Sequence, residues 1–489
     1  SVSALLLYNQ RNYDDGDQVP YRTQGFAGRA AYTYADRYIA EFNFGYNGSE
    51  NFAKGNRFGF FPSIAAGWIV SEEEFMRPVQ NYINKLKLRA SYGLAGNDRF
   101  YNDDGSQKRF AYITTIGTTD GYKWGNSNAF YDKGGLREGD PGVESLTWET
   151  VKKANVGIEL GLFKMAELQV DFFHERREDI FMQRKNIPSS AGFPSAPWAN
   201  YGIVTNKGFD ISLDLNKQIN KDWFISARAS VTYAKNKIIE QDEDLGVLGT
   251  YRSSTGKPVG QIFGLVNDGL YTEADFEDVT TGKLKPGLPV PKFSDRVYPG
   301  DIKYLDLNGD NEITETDKTV IGGTVNPELV YGFGINLSYK NIDFGAFFQG
   351  NGRTYRIIGE NQKNFLPGST IGAEGNIFTN ASDAWTVDNP SQDVFYPRLH
   401  MGYNANNAQV SDWWLKDMSM LRLKNVELGY SFSKNLIKKA AMEYARIFVR
   451  GTNLLQFSKF DLWDPELNTS NGLKYPIMAT YSIGLQVRF

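Results

Sequence analysis

Apolar and polar residues alternate with a period of two along much of this sequence. At its C-terminal end Tyr481, Ile483, Leu485, Val487 and Phe489 are separated by Ser482, Gly484, Gln486 and Arg488. The same pattern sets Tyr38, Ala40, Phe42, Phe44 and Tyr46 around Glu41, Asn43 and Gly45. It sets Phe209, Ile211, Leu213 and Leu215 around Asp210, Ser212 and Asp214, and Leu329 through Tyr339 around Gly332, Gly334, Asn336 and Ser338. Successive side chains of an extended chain point to opposite faces, so each stretch predicts a strand with one large apolar face and one small or polar face. Weaker alternation covers 86–94, 154–162, 168–172, 223–233, 342–348 and 426–432. With segments near 1–10, 25–35, 57–70 and 445–455, about fourteen strands are expected.

The connections sort by length. Short ones fall at 36–37, 163–164, 216–221, 340–341 and 433–442, and long ones at 96–145, 178–205, 237–326, 353–418 and 456–475. Long and short alternate, as in an up-and-down barrel with tight turns on one side of a membrane and large loops on the other. Structureless loops of this length argue against a compact soluble domain. A secreted β-propeller or adhesin would also alternate, but no fixed repeat period joins the strands. The expected fold is all-β: a transmembrane antiparallel up-and-down β-barrel with long extracellular loops, multi-pass in a bacterial outer membrane. A complete fourteen-strand barrel and part of a larger one both satisfy the count.

Composition narrows the chemistry. Lys and Arg number 53 against 57 Asp and Glu, leaving −4 and none of the basic excess of a nucleic-acid binder. Cysteine is absent and only two histidines occur, which excludes disulfides, thiolate sites and a multi-histidine metal centre. Aromatic residues reach 14%. No run approaches the roughly 18 apolar residues of a membrane-spanning helix; the most apolar, 58–70, is interrupted by Pro62 and Ser63. The first residue, Ser1, is followed by no signal-like segment, so the sequence reads as part of a longer polypeptide.

Several stretches together resemble the SusC/RagA-type TonB-dependent transporters of Gram-negative outer membranes. They are Phe58-Gly59-Phe60-Phe61-Pro62-Ser63 with Ala66-Gly67-Trp68, Leu86-Lys87-Leu88-Arg89-Ala90-Ser91-Tyr92-Gly93 leading to Gly96-Asn97, and Trp148-Glu149-Thr150 with Asn155-Val156-Gly157. Asn206-Lys207-Gly208-Phe209-Asp210, Gly300-Asp301 on to Gly322, Leu421-Arg422-Leu423-Lys424-Asn425, Gly451-Thr452-Asn453-Leu454 and Asp464-Pro465-Glu466 follow in the family's order. The resemblance implies the C-terminal portion, residues 1–489, of a 22-stranded plugged barrel, without the plug and first strands. It implies active import of an oligosaccharide or oligopeptide with a SusD-like surface lipoprotein, driven by TonB-ExbB-ExbD. A passive channel or surface adhesion protein is the alternative. The alternating terminus Tyr481, Ile483, Leu485, Val487, Phe489 has the form of an outer-membrane assembly signal.

The long loops, 237–326 and 353–418 among them, carry the candidate chemistry. Trp124, Trp198, Tyr201, Tyr251 and Trp385 are candidate ligand contacts, because aromatic faces suit sugar rings and tyrosine hydroxyls suit polar groups. The competing reading places them in the interfacial girdle or in loop cores. Residues 306–317 follow calcium-loop spacing, with Asp306, Asn308, Asp310, Glu312 and Asp317 as candidate Ca2+ ligands, although Asn311 replaces the usual glycine and Asp317 the usual glutamate. An Asx-turn without metal is the other reading. No enzyme is expected, since His174 and His400 lack a nucleophile motif and Gly322-Gly323 is not followed by the Lys-Ser/Thr of a phosphate loop. Lys152-Lys153 and Arg176-Arg177 are candidates for lipopolysaccharide phosphates at the membrane rim or for a solvated face.

Overall fold

A computed structural model describes residues 1–14, 16, 19–102, 105–126, 129–193, 195–359, 365–368, 379–433, 436 and 441–489. Fourteen strands form one sheet in sequence order. They are β1 (Val2–Tyr13), β2 (Tyr21–Tyr34), β3 (Tyr38–Ser49), β4 (Phe58–Ile69), β5 (Ile83–Asn97), β6 (Glu149–Leu162) and β7 (Ala166–Gln183). Then follow β8 (Trp198–Gln218), β9 (Trp223–Glu240), β10 (Leu329–Tyr339), β11 (Ile342–Gly352), β12 (Met420–Ser431), β13 (Tyr444–Ser458) and β14 (Thr480–Arg488). Every segment expected from alternation is a strand of this sheet. Among the described residues no helix is long and apolar enough to cross a membrane.

The chain divides into two compact units, one of residues 1–216, 232–248 and 255–257, the other of 217–231, 249–254 and 258–489. In the first unit, cross-strand register lines up Val2, Tyr32, Ala40, Ala66, Ala90, Val156, Phe172 and Phe209 in a single row on one face. In the second, Leu337, Phe344, Leu428, Val449 and Ile483 form a comparable row. These faces are open: Phe172 is 57% exposed, Val449 54% and Ile483 74%. Tyr481, Leu485 and Phe489 are exposed as well, while Val487 is half-buried. A large apolar side chain left in water forgoes about 1.5–3 kcal/mol, so rows of them suit an apolar surrounding better than water.

The opposite face is polar and paired. Arg89 bridges Asp171 at 2.6 Å and Glu159 at 3.3 Å, and Lys85 reaches Glu159 at 3.0 Å. In the second unit Glu427 takes Arg446 at 2.6 Å and Arg450 at 2.5 Å. Apolar outside and charged inside is the reverse of a soluble sandwich.

Tight turns occupy alternate connections. Ala35 and Asp36 (φ 49° and 55°) lie between β2 and β3, and Phe163 and Lys164 (φ 54° and 52°) between β6 and β7; each left-handed pair, of the hand that matches strand twist, is followed by one more residue before pairing resumes at Tyr38 and Ala166. Phe163 holds that conformation against Tyr82, donating its N–H to the Tyr82 carbonyl at 2.8 Å and packing ring to ring at 6.0 Å.

Two expectations shift. The connection expected at 178–205 is only 184–197, because β7 and β8 run 18 and 21 residues, well past the 9–11 that span a bilayer. Within the expected loop 96–145, Ile116–Asn126 and Ala129–Glu138 pair as a hairpin, and 70–82 carries 3-10 turns at Val70–Glu72 and Glu74–Val79.

If the open face meets lipid, Ile158→Arg, whose side chain pairs with Leu88 and Val170, is expected to cost about 2–4 kcal/mol when the full-length receptor folds into vesicles. Urea titration reads the loss, and unchanged stability would place that face in water.

Candidate functional site

The loops are built around their own cores. In the first unit Phe52, Phe100, Leu146, Trp148 and Phe181 are buried, with Phe61 and Trp198 packed against them. Trp198 stacks on Phe181 at 4.6 Å and 7°, and Lys108 stands 5.1 Å over its ring. Tyr201, on β8, has the Arg184 guanidinium 4.6 Å over its ring. Both aromatics are therefore engaged by their own chain. Trp124 lies on Ile116–Asn126, and its side chain falls outside the described residues.

A second anchor in that unit is Asp242, whose side chain is 5% exposed. Its carboxylate accepts from Arg184 Nε at 2.8 Å, the Lys185 N–H at 2.8 Å and Asn186 Nδ2 at 2.8 Å. Burial alone would raise its pKa, but these donors outweigh burial and hold the carboxyl well below the usual range.

In the second unit the larger core includes Leu265, Ile302, Tyr304, Ile313, Trp385 and Trp414. Trp385, expected as a ligand contact, is only 6% exposed. Its ring closes on Gly300, where an added Cβ would lie 2.3 Å from the indole and where φ is +91°. The Gly300-Asp301 stretch thus has a physical reason: only glycine fits there.

Asp301 is fully buried. Its Oδ1 accepts from Asn407 Nδ2 at 2.8 Å and Asn404 Nδ2 at 3.3 Å and lies 2.5 Å from His400 Nε2, while Oδ2 takes the Tyr298 N–H at 2.8 Å. Asn407 Oδ1 accepts the Ile302 N–H at 2.9 Å, and the Tyr304 hydroxyl donates to the Asn406 carbonyl at 2.8 Å. This polar network ties the segment near 300 to that near 400. Sequence reasoning left His400 as an isolated loop residue; the Asn404, Asn406 and Asn407 cluster was the available signal.

The 306–317 segment is closed by its own side chains. Asp306 accepts the Gly309 and Asn311 N–H groups at 2.7 and 2.8 Å, Asn308 accepts that of Asp310 at 2.9 Å, and Asp310 that of Glu312 at 2.8 Å. Buried Asp317 accepts from Leu307 and Thr314 at 2.9 and 2.8 Å, and Asn311 takes φ +62°. Glu312 is exposed and turns to Lys292 at 2.8 Å. Among the described residues no three His, Asp or Glu side chains converge as a metal-binding group, so the five expected ligands are not brought together around one point. Tyr251 donates its hydroxyl to the Thr316 carbonyl at 2.7 Å, and burial together with Asp317 pushes that hydroxyl above its ordinary pKa. Tyr251, Tyr403 and Tyr475 are loop aromatics that remain exposed.

No family model matches the chain. TonB-dependent receptor P26 of Formosa agariphila is 30% identical over 506 residues, 98% of this chain and 47% of that protein. TonB-dependent receptor SusC of Bacteroides thetaiotaomicron is 25% identical over 500 residues, 99% of this chain and 46% of that protein. This chain is a relative of the SusC-type TonB-dependent receptors. The solved RagAB peptide transporter shares the fold, with a TM-score of 0.72 at 22% identity over 96% of this chain and 47% of that one. The chain spans about half the length of the curated relatives it matches.

Two measurements test how the loops of this chain are held. Asn at position 301 offers one acceptor oxygen where three N–H donors and the His400 ring converge, so Asp301→Asn is expected to destabilise the loop core by about 1–3 kcal/mol. Faster hydrogen exchange across 298–304 and 404–407 would show it; unchanged exchange would mean the network carries no stability. For Asp242 the folded pKa is depressed, so its stabilisation is present above the unfolded value of about 3.9 and is lost as pH falls from there toward the folded value. Protection of the Lys185 and Asn186 amides, corrected for intrinsic rates, is expected to hold from neutral pH to about 5 and to fall only in stronger acid.

Proposed function

We propose that this chain is the barrel wall and extracellular loop portion of a TonB-dependent importer in the Gram-negative outer membrane. Its sheet would be completed to a 22-stranded, plugged barrel by the remainder of the polypeptide. The cargo would be a large nutrient, an oligosaccharide or an oligopeptide, delivered through a SusD-like surface lipoprotein, with TonB-ExbB-ExbD supplying the work. The observation that carries this reading is the near-complete alignment with SusC-type receptors on a sheet whose open face is apolar.

The physics supports the coupling. Strand edges cannot stand unpaired in hydrocarbon, and among the described residues β1 and β14 each have a neighbour on one side only. A barrel wide enough to admit an oligomer must be plugged at rest, and the outer membrane holds no nucleotide to move the plug. Exposed Tyr251, Tyr403 and Tyr475 offer ring faces that sugar rings or peptide groups can meet.

The test is uptake by cells carrying the full-length receptor, using labelled neutral oligosaccharides and labelled oligopeptides in parallel. One class should accumulate, and accumulation should stop when TonB is deleted or the neighbouring lipoprotein is removed. Uptake that survives loss of TonB would establish a passive channel instead.

A further inference from the structure

Besides the network at Asp301, the connection between β9 and β10 holds a cavity of about 610 Å3, within the roughly 300–1,000 Å3 of small-molecule sites. It lies wholly in the second unit, in the stretch from 277 to 311. Its floor is Leu284 and Val297, which pack with Tyr271 and Phe276. Gly282 lets that floor close: its φ is +74°, and a Cβ there would stand 2.8 Å from the Val297 carbonyl oxygen. One wall is the stretch 286–291, where Pro286, Pro289 and Pro291 fix the backbone before any ligand arrives. Val290 donates its N–H to the Asn311 carbonyl at 2.9 Å and Lys292 to that of Ile313 at 3.0 Å, so the wall is pinned to the carboxylate-closed turns of 306–317.

The lining is aliphatic with charge at its edge. None of the lining residues is aromatic, so the cavity offers no ring face to a sugar, and its aliphatic walls leave sugar hydroxyls unsatisfied. Among the charged residues that line it, Lys283 and Glu277 neutralise each other in an ion pair. Lys285 and Arg296 are exposed and make no ion pair among the described residues, and the same holds for Asp295. Two unpaired cations beside an apolar hollow complement a group with an aliphatic body and a carboxylate at its end. A guanidinium can hold both carboxylate oxygens in parallel. Asp295 opposes a second negative charge, which sets an aliphatic end residue apart from an acidic one.

We propose that this cavity holds the C-terminal residue of an oligopeptide, its carboxylate on Arg296 and Lys285 and its aliphatic side chain against Leu284, Leu288 and Val297. The assignment deepens the importer reading and rests on it for the arrival of the peptide, but it concerns binding and not transport.

The experiment is isothermal titration calorimetry of the full-length receptor in detergent, with acetyl-Ala-Ala-Leu, its C-terminal amide and acetyl-Ala-Ala-Asp as probes. The free acid ending in Leu should bind about tenfold or more tightly than the amide, and about tenfold more tightly than the peptide ending in Asp. Arg296→Gln should erase the preference for acid over amide while leaving affinity for the amide unchanged, a pattern that mere loosening of the loop would not give. Lys285→Gln should narrow the same preference, Arg296→Lys should keep part of it, and Lys318→Gln, outside the cavity, should match the unaltered protein. The comparison of acid with amide needs no variant, and Lys285→Gln locates it if Arg296→Gln fails to assemble. No binding of the acid, equal binding of acid and amide, a preference untouched by both glutamine variants, or displacement of the peptide by a neutral oligosaccharide would each overturn the proposal. Peptide binding of the expected pattern without TonB-dependent uptake would uphold this site and remove the importer instead.

Discussion

An antiparallel sheet closes its backbone hydrogen bonds edge to edge, which leaves its two faces free to differ without limit. Here that freedom is used fully. One face in each unit presents rows of Phe, Tyr, Val, Leu and Ile to the outside, while the other lays Arg89, Asp171 and Glu159, or Glu427, Arg446 and Arg450, into ion pairs. In water the first face would be a liability and the second unremarkable. In a bilayer the first becomes the anchor, and every backbone donor and acceptor between paired strands is already satisfied. The strand periodicity, the register and the sorting of connections all serve this one requirement.

The loops answer a different constraint. A connection such as 241–328 cannot lean on the sheet for stability along its whole length, so it packs into a core away from the sheet. Ile302, Tyr304 and Ile313 are completely or almost completely buried in a core shared with Ile357, Trp385 and Trp414 of the later connection, and fully buried Asp301 gathers donors from Tyr298, Asn404 and Asn407. A buried carboxylate with several donors is costly to open, so the segments near 300 and 400 are held together as a rigid element. The short carboxylate turns between Asp306 and Asp317 do the same on a smaller scale.

Strands were legible because alternation needs only local sequence: the 38–46, 209–215 and 481–489 stretches each contain their own proof. Strand ends were less so. The part of β8 before Thr205 projects beyond the apolar rows, where no lipid enforces alternation, and Trp198 to Val204 read as loop. The candidate site was harder still. Trp385 and Trp198 are indistinguishable from ligand aromatics by residue type, and only their neighbours, Gly300 in one case and Phe181 with Lys108 in the other, show that their faces are taken. The Asp301–His400 contact spans 99 residues, and no local pattern encodes such a pairing.

Parity also decides what the charged dipeptides mean. Lys152-Lys153 and Arg176-Arg177 look like doublets of positive charge, yet a strand sends their members to opposite faces. Lys153 and Arg177 turn inward to Glu175 and Glu149, where a polar interior provides a carboxylate for each. Lys152 and Arg176 turn the other way and share Glu178 between them. Each doublet is thus split into two separate pairings, one on each face of the sheet, and neither forms the continuous patch of charge that its sequence suggests.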